Sequence, residues 1–71
     1  MTWDTISSHW PHLTGLAKFR WGRLSGSDLR SVAGERQALA DRIQERYSVS
    51  SDEALAQVQE WENSAHNSWI Y

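Results

Sequence analysis

Two histidines near the start of the chain have a spacing at which one face of a helix could present both rings to a metal ion. His9 and His12 are three residues apart, but the 71 residues contain no Cys, and no acidic residue stands at ligand spacing beside the pair. Pro11 also distorts the turn that would hold the two rings. We therefore predict no metal site and no cofactor, and we interpret both histidines as solvated or capping groups.

The sequence contains residue types that occur in active sites, but their spacing matches no catalytic motif. The Ser, His and Asp residues lie in no recognisable nucleophile turn, and the chain has no glycine-rich phosphate-binding loop. Glu60 and Glu62 are two residues apart, so on a helix they point in different directions and cannot form a catalytic carboxylate pair. The sequence therefore predicts a protein that is not an enzyme.

A short basic run has the composition of a weak nucleic-acid surface. Lys18, Arg20 and Arg23 are interleaved with aromatic residues on which bases could stack. Trp21 belongs to the predicted core, however, which leaves Phe19 alone for stacking. The net charge of the chain is -2, so three cations would support weak, salt-sensitive binding at best. Nucleic-acid association through this face is the alternative function.

Leu16 and Phe19 fall outside the apolar stripe that a helix here would turn towards a core. An apolar pair one turn apart, beside two histidines, is a candidate contact surface for a second copy of the chain or an unknown protein partner. Two alternatives stay open, since the carboxyl-terminal tail or the segment from Trp3 to Ile6 could fold back over this pair. The predicted patch, tail included, consists of His9, His12, Leu16, Phe19, Arg23, Trp69, Ile70 and Tyr71.

Helical spacing of apolar residues predicts the element that carries this patch. A first helix is expected from about Ser8 to Trp21, with Pro11 in its first turn and Gly22 at its end. We expect Gly15, in mid-helix, to permit close approach of another helix or ring. Residues 1–8 would form an amino-terminal arm or a short turn. The apolar stripe of the first helix is Trp10, Leu13, Ala17, Trp21 and Leu24.

Capping signals predict where the later helices begin. Ser25 with Asp28, and Ser50 with Glu53, both have the spacing of a capping box. The stripe after Ser25 continues in register across Gly34, so the pattern allows one long helix or two that meet at the glycine. Residues 66–71 form an apolar carboxyl-terminal tail.

Length and composition bound the fold. A chain of 71 residues forms one domain, over residues 1–71, and five Trp can supply much of the volume of a small core. No segment alternates with a period of two for long enough to predict a strand, so the fold class is all-α. The sequence contains neither an apolar run long enough to span a membrane nor a secretory signal. We therefore expect a soluble, cytoplasmic protein with no membrane partner.

Five motifs stand out by residue type and spacing, and they are Trp10-x-x-Leu13-x-Gly15, Lys18-x-x-Trp21-Gly22-x-Leu24, Ala33-Gly34-x-Arg36, Ile43-Gln44-Glu45-Arg46-Tyr47 and Trp61-Glu62. Together they resemble the CsbD-like family of small bacterial stress-response proteins. The resemblance covers nearly the whole chain and implies four short helices packed as two crossed hairpins, which favours a break at Gly34. It also implies a role in general stress responses, with no biochemical activity that could be assigned to particular residues. The chain departs from the family in having one Lys with six Arg, and in Ser48, where a Gly often follows the Tyr.

Overall fold

Five helices make up the protein over residues 2–65, the part of the chain that the computed structural model describes. The all-α prediction is confirmed there, since these residues form no strand. None of these helices has the length and apolar composition needed to cross a membrane. The helices are α1 (Trp3–Ser8), α2 (Trp10–Arg20), α3 (Gly26–Val32), α4 (Arg36–Tyr47) and α5 (Ser51–Ser64).

The first predicted helix and its arm are in fact two helices. The helical path is interrupted at His9, whose φ and ψ of -111° and 21° are not helical, and α1 occupies the segment expected to be an arm or short turn. The reason is Pro11, in the first turn of α2, because its ring would clash with the carbonyl four residues earlier in a continuous helix. The count is therefore five helices rather than the four that the family resemblance implied.

The chain turns sharply between α3 and α4. Ser25 and Asp28 form the predicted capping box at the start of α3, with both of its hydrogen bonds at 3.0 Å. Ala33 and Gly34 then adopt left-handed backbone angles, with φ of 50° and 81°. Such angles end a right-handed helix. The stripe is therefore broken at Gly34, and it forms two helices.

The connection between α4 and α5 is similar. Ser48 caps the end of α4 in the left-handed region, with φ of 54°, which explains why glycine suits this position. The Ser50 hydroxyl accepts a hydrogen bond of 3.1 Å from the Glu53 amide, as the N-cap prediction required. Arg36 reaches across from α4 to α5 and pairs with Glu62 at 3.4 Å.

Four tryptophan rings from three helices meet in one core. Trp61 of α5 lies 5.5 to 6.4 Å, centroid to centroid, from the rings of Trp3, Trp10 and Trp21. Trp3 and Trp10 also contact each other at 6.3 Å. The predicted Trp-rich core is confirmed. Apolar side chains of all five helices complete it, among them Ile6, Leu13, Leu29, Leu39, Ile43 and Val58.

Hydrogen bonds from the indole N–H groups connect the helices to one another. Trp10 donates to the Leu29 carbonyl at 2.9 Å, and Trp3 donates to the Gly34 carbonyl at 2.8 Å. Trp21 Nε1 donates to Gln57 Oε1 at 3.0 Å, which links the end of α2 to α5. Each bond satisfies a polar atom that the apolar core would otherwise leave without a partner.

Candidate protein-contact surface

The outer side of α2 carries the predicted patch. His12, Leu16 and Phe19 follow one another at i, i+4 and i+7, so they share one stripe of the helix. The Phe19 side chain is 90% exposed, the one large apolar residue of residues 2–65 that is fully open to water. Leu16 is half-buried and packs against the core. The stripe thus runs from the core edge out to an unburied aromatic ring.

A groove of about 360 Å³ lies between this stripe and α5. Leu16, Phe19 and Arg20 form its α2 side, and Trp61 lines it from α5. The predicted apolar patch included neither Arg20 nor Trp61. Side chains of α2 and α5 meet at the groove, and short-range periodicity does not specify a contact between such distant segments.

Exposed charged residues lie on both α2 and α5. The Trp21–Gln57 hydrogen bond shows which side of α5 faces α2. Glu53 and Glu60 lie four residues before and three residues after Gln57, so they occupy that same side of α5, and both are exposed. The Arg20 guanidinium lies 5.2 Å from the centre of the Trp21 ring. Of these charged residues, Arg20 lines the groove.

The two histidines lie at the amino-terminal end of the same helix. Their ring centroids are 6.4 Å apart, and the His9 Nδ1 atom is 3.0 Å from the Thr5 carbonyl oxygen. His9 therefore sits at the α1–α2 junction, where its side chain makes no capping hydrogen bond to α2, and His12 is exposed. Between residues 2 and 65 no three His, Cys, Asp or Glu side chains converge as a metal site would require.

The basic residues of the alternative nucleic-acid face point towards different parts of the molecule. Lys18 Nζ donates to the Leu24 carbonyl at 2.9 Å, while Arg20 borders the groove. Arg23 lies in the loop after α2, where its guanidinium is 5.4 Å from the Tyr47 ring. Arg23 thus belongs with α4 and not with the Phe19 stripe.

The remaining members of the predicted patch are Trp69, Ile70 and Tyr71, and they lie outside the described residues. The other segment considered as a cover, from Trp3 to Ile6, forms part of α1. Ile6 is fully buried and Trp3 packs against Trp10 and Trp61. That segment contributes to the core and leaves Phe19 exposed.

An ion pair between a buried carboxylate of α3 and an exposed guanidinium of α4 was missed by the sequence analysis. Asp28 accepts two hydrogen bonds of 3.0 Å from Arg46, and its side chain is 7% exposed. The Arg46 guanidinium, followed by the Ser25 amide, holds the pKa of the Asp28 carboxyl well below its usual range. The capping box located Asp28, but no local pattern indicated a partner 18 residues away.

Relatives of the chain are small bacterial proteins of one family. A UPF0337 protein of Pectobacterium atrosepticum is 38% identical over 69 residues, which cover 97% of this chain and all of the relative. The UPF0337 protein YjbJ of Escherichia coli is 33% identical with the same coverage. A UPF0337 protein of Nitrosomonas europaea is 36% identical over 58 residues, 82% of this chain and 62% of its own length. No model of a protein family matches the chain, and no solved structure matches it.

Proposed function

The chain belongs to the UPF0337 family, and we propose that it acts without catalysis, through contacts that the outer face of α2 makes with another protein chain. The CsbD-like proteins belong to this family, so the proposed setting is the general stress response of the bacterial cytoplasm. The observation that carries the proposal is Phe19, an aromatic ring that is 90% exposed beside an apolar groove. An exposed apolar patch of this kind marks a surface on which another molecule excludes water.

The alternative function, nucleic-acid binding, is less well supported by the positions of the basic residues. A nucleic-acid surface needs several cations that converge on one stretch of backbone phosphates. Lys18 and Arg23 are instead directed to a carbonyl of the α2–α3 loop and to the Tyr47 ring. Among residues 2–65, Phe19 is the one large apolar ring that is exposed for stacking, because Trp21 is fully buried. Protein contact therefore fits the exposed groups better than nucleic-acid contact.

A photo-activated cross-linking residue placed at position 19 tests the proposal. The matched control carries the same residue in place of Gln37, which is exposed on α4, away from the groove. In bacteria that produce each variant, before and after entry into stationary phase, we expect cross-linked protein adducts from position 19 and few from position 37. Equal labelling at the two positions would contradict the proposal. Adducts from position 19 that nuclease removes would favour the nucleic-acid alternative.

A further inference from the structure

We propose that a recess between α2 and α3 is a binding site for a phosphoryl group, carried by inorganic phosphate or by a small phosphate monoester. The recess has a volume of about 200 Å³. It shares no lining residue with the groove between α2 and α5, so the inference is independent of the proposed function. Three residues of each helix line the recess, and these are Thr14, Gly15, Lys18, Gly26, Leu29 and Arg30.

Two glycines keep the recess open. At both Gly15 and Gly26, no neighbouring side chain or helix lies within 4 Å of the position that a Cβ atom would take. Gly15 is in the middle of α2, where glycine is a poorer helix former than alanine. Packing within residues 2–65 therefore gives no reason for a glycine there. A methyl group at this position would instead occupy part of the recess, so the glycine provides space for a ligand.

Every charged side chain that lines the recess is a cation. Lys18 contributes from α2 and Arg30 from α3. The sequence of residues 5–27 contains no Asp or Glu. The next acid along the chain, Asp28, directs its carboxylate to the guanidinium of Arg46 at 3.0 Å. Among residues 2–65, no carboxylate lines the recess, so its charge is complementary to an anion.

Both cations have donors available for a ligand. Lys18 Nζ donates a hydrogen bond of 2.9 Å to the Leu24 carbonyl oxygen, in the loop that connects α2 to α3. This bond uses one of the three N–H donors of the ammonium group and fixes the position of that group. Arg30 is exposed and forms no ion pair within residues 2–65. Its planar guanidinium can donate two parallel hydrogen bonds to one oxyanion.

Charge and size favour a phosphoryl group over a carboxylate. A phosphate monoester has a charge of about -1.5 to -2 at pH 7, which two cations balance, whereas a carboxylate has a single charge. A recess of about 200 Å³ is smaller than the roughly 300–1,000 Å³ of pockets for drug-sized ligands, so it holds one group and not a whole cofactor. Leu29 gives the recess an apolar surface against which the carbon substituent of a small monoester can pack.

Titration of the isotope-labelled, full-length protein with phenyl phosphate, followed by the NMR signals of the backbone amides, tests the proposal. At low ionic strength we expect saturable shifts at residues 14–18 and 26–30, with a dissociation constant of about 1–10 mM, as for a ligand of few atoms. Inorganic phosphate should shift the same amides, and tighter binding of phenyl phosphate would assign the site to monoesters. Benzoate has the same ring with one negative charge, and it should bind about threefold more weakly or worse.

Variants of the lining residues test the site itself. Arg30→Gln should weaken the binding of phenyl phosphate about three- to tenfold. Arg23→Gln removes the same charge outside the recess and should leave the affinity unchanged. Gly15→Ala should weaken binding although it raises the melting temperature, because the added methyl group fills the recess and also favours the helix. Gly22→Ala is its control, since Gly22 also has open surroundings but does not line the recess.

Four results would overturn the proposal. The first is the absence of saturable shifts with either phosphate probe beyond those that sodium chloride causes at the same ionic strength. The second is an equal loss of affinity in Arg30→Gln and Arg23→Gln, because the overall surface charge would then attract the anion. The third is equal affinity for benzoate and phenyl phosphate. The fourth is binding at these amides of an oligonucleotide, which offers phosphodiesters, without binding of phenyl phosphate. None of these results affects cross-linking from position 19, so the two proposals can fail separately.

Discussion

Gly34 occupies a position where any side chain would be unfavourable, because its backbone angles are left-handed and α1 packs closely against it. Its φ of 81° lies in the left-handed region, and it is buried against α1. A Cβ atom there would meet the Ser7 Oγ atom at 2.8 Å and the Ser7 carbonyl oxygen at 3.2 Å. Its own carbonyl also accepts the Trp3 indole N–H. The absence of a side chain therefore allows α1 to pack on the turn between α3 and α4.

Gly34→Ala should lower the free energy of unfolding by about 2 kcal/mol or more, since it adds left-handed strain to a contact that is already tight. Gly15→Ala is the matched control. Gly15 was expected to permit close approach, but no atom lies within 4 Å of the position that its Cβ would occupy, so that expectation is wrong. The control should gain about 0.5–1 kcal/mol from helix propensity. Urea unfolding of both variants measures the difference, and equal effects would exclude the packing argument.

The sequence predicted that a helix could break at Gly34, but it did not predict the contact that makes glycine necessary there. The left-handed angles at Ala33 and Gly34 serve the contact with Ser7, which precedes them by 26 and 27 residues. Local propensity reports that glycine weakens a helix, but it carries no information on what packs against the glycine. The exposed Phe19 was predictable for the opposite reason. Its position on the helical wheel places it away from the core without reference to any distant partner.

Among the elements, α3 and α4 are held together by a charge as well as by apolar packing. Asp28 closes the capping box of α3 and at the same time accepts both hydrogen bonds from Arg46 of α4. The Asp28 carboxylate therefore has two structural roles, because it caps the start of α3 and also holds α4 through Arg46. Such local caps are predictable from residue spacing, and both Ser25 and Ser50 were found in this way. The partner of Asp28 depends on how two helices cross, which spacing does not reveal.

The free energy of unfolding should therefore depend on pH, because the Asp28 carboxyl is protonated at different pH values in the folded and unfolded chains. Its folded pKa lies below the unfolded value of about 3.9, so the unfolded chain takes up a proton first as the pH falls. The stabilisation is complete above about pH 5 and is lost progressively at lower pH. Asp28→Asn should be less stable than the wild type at pH 7, and the two curves should approach each other towards pH 2.

Urea midpoints measured from pH 7 to pH 2 test this prediction, with Asp41→Asn as the control. Asp41 is exposed on α4, where it accepts a hydrogen bond from Gln37 one turn earlier. Its removal should leave the pH dependence close to that of the wild type. A constant difference between Asp28→Asn and the wild type at every pH would contradict a role for the charged form. That result would assign the loss to the cap alone.

At the scale of the whole molecule, the Trp61 ring of α5 connects α5 to α1 and α2 through contacts with other tryptophan rings. Its ring contacts Trp3 of α1 and both Trp10 and Trp21 at the two ends of α2. A domain of this size has a total stability of about 4–10 kcal/mol. Truncation of one central ring can therefore remove about half of it. Sequence periodicity placed Trp10 and Trp21 on the inward stripe of the first helix, although it could not show that the Trp61 ring would contact both of them.

Because the four rings share one core, their packing and the helices should be lost in a single transition. We expect near-ultraviolet circular dichroism, which reports the tryptophan cluster, and far-ultraviolet circular dichroism, which reports the helices, to give the same melting temperature. Trp61→Phe should lower both together by about 10 °C or more, the equivalent of roughly 2 kcal/mol in a domain of this length. Phe19→Ala removes a ring of similar chemistry from the surface and should change stability by less than about 0.5 kcal/mol. Cluster signals that disappear well before the helices would show that the rings do not hold the fold together, and the two-state interpretation of the other variants would fail with it.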